Sequence, residues 1–405
     1  MAPPSPRAQL LALGAATFIS MLGVGVIVPI LPDYAKGLGA SALTIGLIFS
    51  AFSATRALTV PYIGALSDRT GRKRFLLIGL IGYAALAVAL VWTHTPAGLV
   101  VNRAVQGIFA AMVLPVALAL TADLAPGGYE GRMFGNFNTW FLLGFGLGPL
   151  LGGWAYDLAG IEANFLLMAV LSLIGAALVW RLVHEVPAHA RPRAAAGWAE
   201  QLALAKDPVM LGAFLCRAFT AMGMGCYVAF LPVLAPAQAV SKSEVGLLLA
   251  VNVLVMTALQ WPAGQLADRW ARLPLAVMGM ALSGLAKAAM PLAGGFFWLL
   301  VWNIVEGVGS GFALPPLIAL ASVRGKALGA GMGLTMGFFT LALSAGVFFG
   351  PILGGWLADL SDMSAPFYLS GAVSVIGAAV LGLLARNATE PPPAEPGSKE
   401  APGLS

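Results

Sequence analysis

Twelve long apolar segments recur along this chain of 405 residues, and they constrain its fold more than any other feature. Each is about 18 to 25 residues long, the length with which an α-helix crosses roughly 30 Å of hydrocarbon. The sequence therefore predicts an all-α membrane protein with twelve transmembrane helices. The predicted spans are 9–31, 42–64, 75–93, 97–119, 134–156, 163–181, 208–232, 243–265, 274–292, 297–319, 330–356 and 365–385.

The composition excludes an ordinary soluble domain. Only 10% of the residues are charged and 59% are hydrophobic, whereas a soluble domain carries roughly 25% charged residues because its surface faces water. The 50 glycines suit membrane helices, in which small residues let backbones approach closely. Cys216 and Cys226 are about 15 Å apart by helical rise, so we expect two apolar packing residues and no disulfide between them.

Basic residues lie almost entirely on one side of the predicted membrane. With the N-terminus inside, sixteen Lys and Arg residues fall in inside segments, and only Lys36 and Lys242 fall outside. Cytoplasmic segments carry such an excess, so both termini are predicted to be cytoplasmic in a bacterial-type inner membrane. This distribution explains the net charge of +5 without a nucleic-acid partner.

One internal segment, 182–207, is rich in Ala, Pro and Arg and divides the spans six and six. We therefore predict an N-terminal bundle over 1–181, a cytoplasmic linker over 182–207 and a C-terminal bundle over 208–387. Residues 388–405 are polar and Pro-rich, and they are predicted to form a disordered cytoplasmic tail. Neither the linker nor the tail is expected to have a fold of its own.

The second half of the chain repeats the first. A shift of 200 residues aligns GALSDR at 64–69 with GQLADR at 264–269, and a shift of 202 aligns GPLLGGW at 148–154 with GPILGGW at 350–356. Ordered matches of Gly, Pro, Asp and Arg are not expected by chance. We therefore predict two pseudo-symmetric six-helix bundles, the parallel repeat of transporters whose halves rock around a central site.

The loop after span 2 combines glycines, one carboxylate and a basic cluster. It reads GALSDRTGRKR over 64–74 and closely resembles the signature G-x-L-x-D-R-x-G-R-[KR] of the major facilitator superfamily. The resemblance implies a cytoplasmic gate that ties helix 2 to helix 11, with Asp68 at the N-terminus of helix 11, where a carboxylate is favoured. We expect Asp123 to join this charge network. The other gate residues implied are Gly64, Arg69, Gly71 and Arg72.

Span 5 carries a second family motif. Gly144, Gly148 and Gly152 recur every four residues and open one helix face to close contact, while Pro149 removes a backbone hydrogen bond and permits a bend. With Gly135 and Gly153, they resemble the antiporter signature G-x8-G-x3-G-P-x2-G-G of the same superfamily. The resemblance implies export by antiport and places the chain near the twelve-span drug–proton antiporters.

Span 4 carries Arg103, Gln106 and Gly107, which resemble the R-x-x-Q-G signature of the superfamily. A buried arginine in a membrane is costly and marks a pathway, and the resemblance suggests a role in proton coupling. The plainer interpretation is an arginine that only holds helices together. Asn303 lies one turn before Glu306, as Arg103 lies one turn before Gln106, so the halves place polar residues on matching faces.

Four further ionisable residues fall inside the spans: Arg56, Arg217, Lys287 and Glu306. Arg217 and Glu306 each lie roughly 13 Å into their spans by helical rise, and the family places spans 7 and 10 beside the central cavity. Either Glu306 carries protons under the control of Arg217, or the two form a static salt bridge. Lys287 is expected to snorkel to the outer surface. Arg56 either binds an anion in the cavity or anchors a carbonyl.

The predicted function is secondary active transport, namely proton-coupled export of a small amphipathic molecule by alternating access, as in multidrug efflux. The alternative is an exporter or flippase for an anionic substrate, such as a carboxylate metabolite, a siderophore or a lipid head group, because three arginines face one glutamate. We expect no enzyme activity, cofactor or metal, since no catalytic constellation, Walker loop or zinc spacing occurs. The expected partners are a small-molecule substrate, protons and the lipid bilayer, and the chain is expected to be a monomer.

Overall fold

The computed structural model describes residues 6–124, 130–185, 198–269 and 271–385. These ranges contain α-helices and short 3-10 helices and no strand. The α-helices are α1 (Pro6–Ile27), α2 (Leu31–Gly37), α3 (Ala42–Thr70), α4 (Arg72–Leu90), α5 (Pro96–Leu124), α6 (Glu130–Leu182), α7 (Trp198–Ala203), α8 (Pro208–Leu234), α9 (Lys242–Arg269), α10 (Arg272–Ala289), α11 (Phe296–Ala327), α12 (Met332–Leu360) and α13 (Ala365–Ala385).

Eleven helical segments of the described chain are long and apolar enough to cross a membrane. The longest helix, α6, has 53 residues and a non-helical backbone at Gly160, where φ is 76° and ψ is −172°. An unbroken helix of 53 residues would be about 80 Å long, more than twice the hydrocarbon thickness. Glycine tolerates the positive φ that divides α6 at this point. The fold is thus that of an all-α, multi-pass membrane protein.

Helix pairs repeat between the two halves. In the first half α1 packs on α6, and α3 and α4 pack on α5. In the second half α8 packs on α12, and α9 and α10 pack on α11. The pairs α3–α12 and α6–α9 join the halves. The same residue shift that aligns the sequences therefore also relates the packing.

Part of the linker is ordered and packed on the second half. It contains α7 and a 3-10 helix over Leu204–Lys206, and the buried side chain of Leu204 joins the core around α8. This short part packs on the second half, where Leu204 removes apolar surface from water, and the expectation that the linker has no fold of its own stays a prediction. Residues 186–197 and the predicted tail at 388–405 lie outside the described residues.

Asp207 connects the linker to two helices. Its carboxylate accepts hydrogen bonds from the amides of Val209 and Met210, both at 3.1 Å, and so caps α8. It also accepts from the guanidinium of Arg324 near the end of α11, at 3.1 and 3.0 Å from Nε. The hydrogen bond from Arg324 and these amides lower the pKa of Asp207 below its ordinary value of 3.8.

The two ends of the molecule differ. At the end formed by the first turns of α3 and α9, here called the closed end, a methyl group on Gly355 would lie 2.3 Å from the carbonyl oxygen of Ala42. The opposite end, here called the loop end, holds the 64–74 loop. There a methyl on Gly64 or Gly264 would meet nothing within 4 Å. The two halves are therefore in tight contact at the closed end.

Candidate functional site

Arg103 lies in the interior of the first half on α5. Its side chain is buried, and the guanidinium donates to the side-chain oxygen of Gln106 one turn later. The guanidinium carbon lies 4.4 Å from the ring centroid of Phe52 and 5.8 Å from that of Phe49. No carboxylate pairs with Arg103 among the described side chains. Aromatic faces and an amide therefore stabilise a cation that burial makes costly.

Arg56 is brought to the same region by close packing of α3 on α5. The hydroxyl of Thr55 donates to the carbonyl oxygen of Ala104 at 2.6 Å, and a methyl on Gly107 would lie 3.1 Å from the amide nitrogen of Arg56. Glycine at 107 is what permits this approach. The phenol of Tyr83 on α4 lies in the same region as both arginines.

Glu306 occupies the corresponding interior position of the second half. One carboxylate oxygen lies 2.7 Å from the ammonium of Lys287 on α10 and accepts from the hydroxyls of Ser283, at 3.0 Å, and Ser310, at 2.7 Å. The other accepts from the side-chain amide of Asn252 on α9. The carboxylate is thus both charge-compensated and hydrogen-bonded, as a buried charge must be.

This pairing corrects two predictions. Lys287 does not snorkel to a surface: its side chain is 1% exposed and points to Glu306. Arg217 is not the ion-pair partner of Glu306. The preceding residue, Cys216, faces α10 through a 2.7 Å contact with the sulfur of Met280. Successive helical residues are turned by about 100°, so Arg217 leaves the helix in a different direction and lies half-buried on α8.

A spacing in the sequence could have indicated Lys287. Ser283 and Lys287 are four residues apart in the apolar part of α10, and Glu306 and Ser310 are four apart on the next helix. Residues at this spacing share a helix face. Two matching polar pairs on neighbouring helices are a signal for a shared buried cluster.

Asn303 completes the cluster in the second half. Its side-chain oxygen accepts from the hydroxyl of Tyr227 on α8, its side-chain amide donates to the carbonyl of Leu299 at 2.7 Å, and its own carbonyl accepts from Asn252 at 3.1 Å. Asn303 and Glu306 lie 200 residues after Arg103 and Gln106. The structure therefore places a buried polar cluster at equivalent positions of each half.

The loop motif folds around Arg72, whose side chain is buried. The guanidinium lies 3.1 Å from the carboxylate of Asp68 and 2.8 Å from that of Asp123 on α5. The structure thus brings Asp123 to the motif. Gly71 has a φ of 114°, and a methyl group there would lie 2.9 Å from a carboxylate oxygen of Glu185. That carboxylate accepts from the amides at the start of α4.

One other gate residue of the loop motif, Arg69, borders an open space. A cavity of about 880 Å3 lies beside the loop-end half of α3, and Arg69 is at its edge. Asp68 is 34% exposed, and its predicted place at the N-terminus of helix 11 stays a prediction. The cavity is lined by Leu58, Pro61, Tyr62, Ala65, Leu66 and Arg69.

The glycines of the α6 motif serve two different contacts. Methyl groups on Gly144, Gly148 and Gly152 would lie 2.3, 2.6 and 2.1 Å from backbone carbonyl oxygens of α1, so these glycines hold α6 directly on α1. A methyl on Gly153 would instead lie 2.6 Å from the carbonyl oxygen of Lys242 in the other half. The carbonyl of Pro149 lies against α9 in the same way, at Gly246. The motif therefore builds part of the closed end.

Comparison with known families decides the class. The model of the Major Facilitator Superfamily matches residues 13–216 and again 213–405. The chain belongs to the major facilitator superfamily. Members of this family are transporters of small molecules and not enzymes. The clusters on α5 and α11, the loop motif and the α6 glycines are thus parts of a transporter.

Individual relatives within the superfamily are distant in sequence but match about nine-tenths of the chain. Identity is 28% over 373 residues with an uncharacterized MFS-type transporter of Methanocaldococcus jannaschii, covering 89% of this chain and 94% of the relative. It is 23% over 376 residues with the quinolone resistance protein NorA of Staphylococcus aureus, covering 92% and 95%.

A solved transporter structure has the same fold. It is a bacterial homolog of the human lysosomal transporter Spinster, in an inward-facing and unoccupied conformation. The TM-score is 0.76 at 17% identity, with 95% of this chain and 98% of that chain covered.

Proposed function

We propose that this facilitator is a proton-coupled antiporter that exports a small amphipathic molecule by alternating access. The observation that carries the proposal is the α6 motif, whose glycines pack on α1 and reach across to α9 at the closed end. The distant relative NorA, named as a quinolone resistance protein, supports efflux.

The proposal includes an architecture and an orientation. Counting the two parts of α6 on either side of Gly160 separately gives twelve crossings. The two matches of the family model support bundles over 1–181 and 208–387 that act as the moving halves. The excess of basic residues at the loop end supports cytoplasmic termini in an inner membrane. The cavity beside α3 then opens to the cytoplasm, and the chain works as a monomer.

In this proposal the loop motif controls the cytoplasmic side. Arg72 ties α4 to α5 through Asp123 and also pairs with the half-buried carboxylate of Asp68, which would turn from this pair towards the partner half when this side closes. Gly64 and Arg69 form the surface that must approach α12, and Gly71 shapes the turn. The motif then steadies the outward-facing state.

We assign the proton-coupling role to Glu306, supported by Arg103, Gln106 and Asn303 in the paired clusters. Protonating Glu306 removes its charge and leaves the ammonium of Lys287 without a counter-ion, which the membrane interior disfavours. The cluster therefore has two states of different energy, as a coupled transporter requires. Lys287, rather than Arg217, is the group that controls its charge.

Proteoliposomes test this assignment. Glu306→Gln is expected to abolish efflux driven by a pH gradient of a probe such as ethidium, while equilibrium exchange of the same probe continues. The matched control is Glu162→Gln, the same change at an exposed glutamate, which should leave gradient-driven efflux at the wild-type rate. Gradient-driven efflux by Glu306→Gln at the wild-type rate would contradict the assignment.

The charge balance favours a second candidate, an exporter or flippase of an anionic substrate. Because Lys287 neutralises Glu306, the arginines at 56, 103 and 217 remain as a surplus with no ion-pair partner among the described residues. A carboxylate metabolite, a siderophore or a lipid head group would supply the missing charge. Arg217→Ala should then slow transport of a net-anionic probe such as carboxyfluorescein and leave a cationic probe unaffected.

A further inference from the structure

Two aspartates at the closed end form symmetric contacts between the halves. Asp359, at the end of α12, accepts from the amides of Ala42 and Leu43 at 2.8 and 3.0 Å, in the first turn of α3. Asp157, on α6, accepts from the amide of Ser243 at 3.2 Å, in the first turn of α9. Each carboxylate thus caps a helix that belongs to the other half.

These contacts are not ordinary helix caps. The first turn of a helix has amides without a partner inside the helix, and a local side chain normally serves one of them. Both helices already have such a cap. The hydroxyl of Ser41 accepts from the backbone amide of Thr44 at 3.2 Å, and the hydroxyl of Ser241 accepts from the backbone amide of Glu244 at 3.3 Å. The aspartates add acceptors from positions far away in the chain, which are available only while the halves touch.

The repeat supports a shared role. Asp157 and Asp359 are 202 residues apart, the same shift that aligns the GPLLGGW and GPILGGW segments, and each follows the last glycine of its segment by four residues. That glycine makes the close backbone contact with the same helix end: Gly153 with Lys242 and Gly355 with Ala42. Glycine permits the approach, and the aspartate one turn later binds the exposed amides.

A third contact of another kind lies at the same place. The ammonium of Lys242, the first residue of α9, is 2.8 Å from the carboxylate of Asp33 on α2. Three carboxylates thus cross between halves at the closed end, two of them to backbone amides and one to a side chain.

We infer that Asp157 and Asp359 are paired positioning residues that hold the closed end shut and set the balance between the two conformations of the transporter. When this end opens, water replaces the carboxylates at the first-turn amides. The net stabilisation is therefore modest, because hydrogen bonds to water take the place of those lost. A transporter needs such reversible contacts, since a latch worth many kcal/mol would trap one state. The inference rests on alternating access, and on neither proton coupling nor the direction of transport.

Distances between spin labels test the inference in reconstituted protein. One label pair, at Leu158→Cys and Leu360→Cys, reports the closed end, and another, at Tyr62→Cys and Trp261→Cys, reports the loop end; all four side chains are more than half exposed. The native Cys216 and Cys226 are buried, and a sample without the introduced cysteines corrects for their labelling.

Asp157→Ala and Asp359→Ala should each raise the ratio of open to closed populations at the closed end by roughly five-fold, the usual effect of removing one cap. The double variant should give roughly 25-fold, because the two sites are separate. Asn at either position keeps an acceptor oxygen and should give a smaller change. The control is Asp362→Ala, since Asp362 accepts from Ser364 within its own half at 2.7 Å.

A purely structural role would lower the unfolding temperature without moving these populations. Unchanged closed-end distances in the double variant would overturn the inference. The label distances do not require a substrate or a pH gradient, so failure of the proposed antiport would leave this result interpretable.

Discussion

The ammonium of Lys287 lies 2.7 Å from a carboxylate oxygen of Glu306, and both side chains are buried between α10 and α11. The side chains of Lys287 and Glu306 are only 1% and 6% exposed, so each charge depends strongly on the other. Breaking a buried pair by removing one member leaves an uncompensated charge, whereas removing both can be nearly neutral. We therefore expect a single substitution in this pair to lower the stability strongly and a double substitution to lower it much less.

Lys287→Met should lower the free energy of unfolding by about 3–5 kcal/mol, because Glu306 is then buried without a cation. Lys287→Met combined with Glu306→Gln should recover most of that loss. Denaturant titrations in detergent, followed by tryptophan fluorescence, measure both. A double variant no more stable than Lys287→Met would show that the ion pair does not determine the loss.

Hydropathy predicted the positions of the helices well, but it predicted the contacts between their side chains less well. The predicted span at 42–64 begins at the observed first residue of α3, since length and apolar composition are local properties. The stripe of Gly144, Gly148 and Gly152 was also readable, because a spacing of four places residues on one face. The partner of Glu306 was missed, because depth in the membrane gives no rotation about the helix axis and only the four-residue spacing of Ser283 and Lys287 could have indicated it.

Contacts between the halves could not be predicted from the sequence, for a second reason. Asp157 and Asp359 have no unusual neighbours, and their role depends on how two bundles dock in one conformation. The repeat marked Gly153 and Gly355, which lie one turn earlier, but not the helix ends that they meet. Long-range capping is a property of the docked halves and not of either segment alone.

Because of the carboxylate of Asp207, we expect the stability of the protein to fall at acid pH. Its pKa is lowered in the folded protein, chiefly by the hydrogen bond from Arg324. A carboxyl whose folded pKa is depressed stabilises the fold above its unfolded pKa, and this contribution disappears as the pH falls through the folded value. Below about pH 4, the unfolding temperature of the wild-type protein should therefore fall more steeply with pH than that of Asp207→Asn.

Asn keeps an N-cap oxygen, so this comparison isolates the charge from the cap of α8. Asp207→Ala, which also removes the cap, should cost about 1 kcal/mol more than Asn at neutral pH. Parallel acid profiles for wild type and Asp207→Asn would contradict the assignment of the effect to Asp207.

Two glycines of the α6 motif should respond differently to the same substitution. A methyl group on Gly152 would lie 2.1 Å from the carbonyl oxygen of Val26, so Gly152→Ala must push α6 away from α1. Overpacking of this kind costs about 1–3 kcal/mol. A methyl on Gly135 meets nothing within 4 Å, and Gly135→Ala should be neutral or stabilising by up to about 1 kcal/mol. Unfolding temperatures in detergent compare the two, and equal effects would argue against close packing as the role of Gly152.

Substitutions of the two aspartates that contact Arg72 should affect stability and transport differently. The side chain of Asp123 is fully buried against the guanidinium, and Arg72 keeps Asp68 as a counter-ion, so Asp123→Asn should destabilise the protein by about 1–3 kcal/mol. Asp68 is 34% exposed, and Asp68→Asn should cost under about 1 kcal/mol, as exposed pairs do. If Asp68 docks on the partner half when the loop end closes, Asp68→Asn should still slow transport several-fold at an unchanged unfolding temperature. Thermal unfolding and proteoliposome transport, measured on the same preparations, test both statements. Equal losses of stability in the two variants would contradict the division of roles, and full transport by Asp68→Asn would remove Asp68 from the gate.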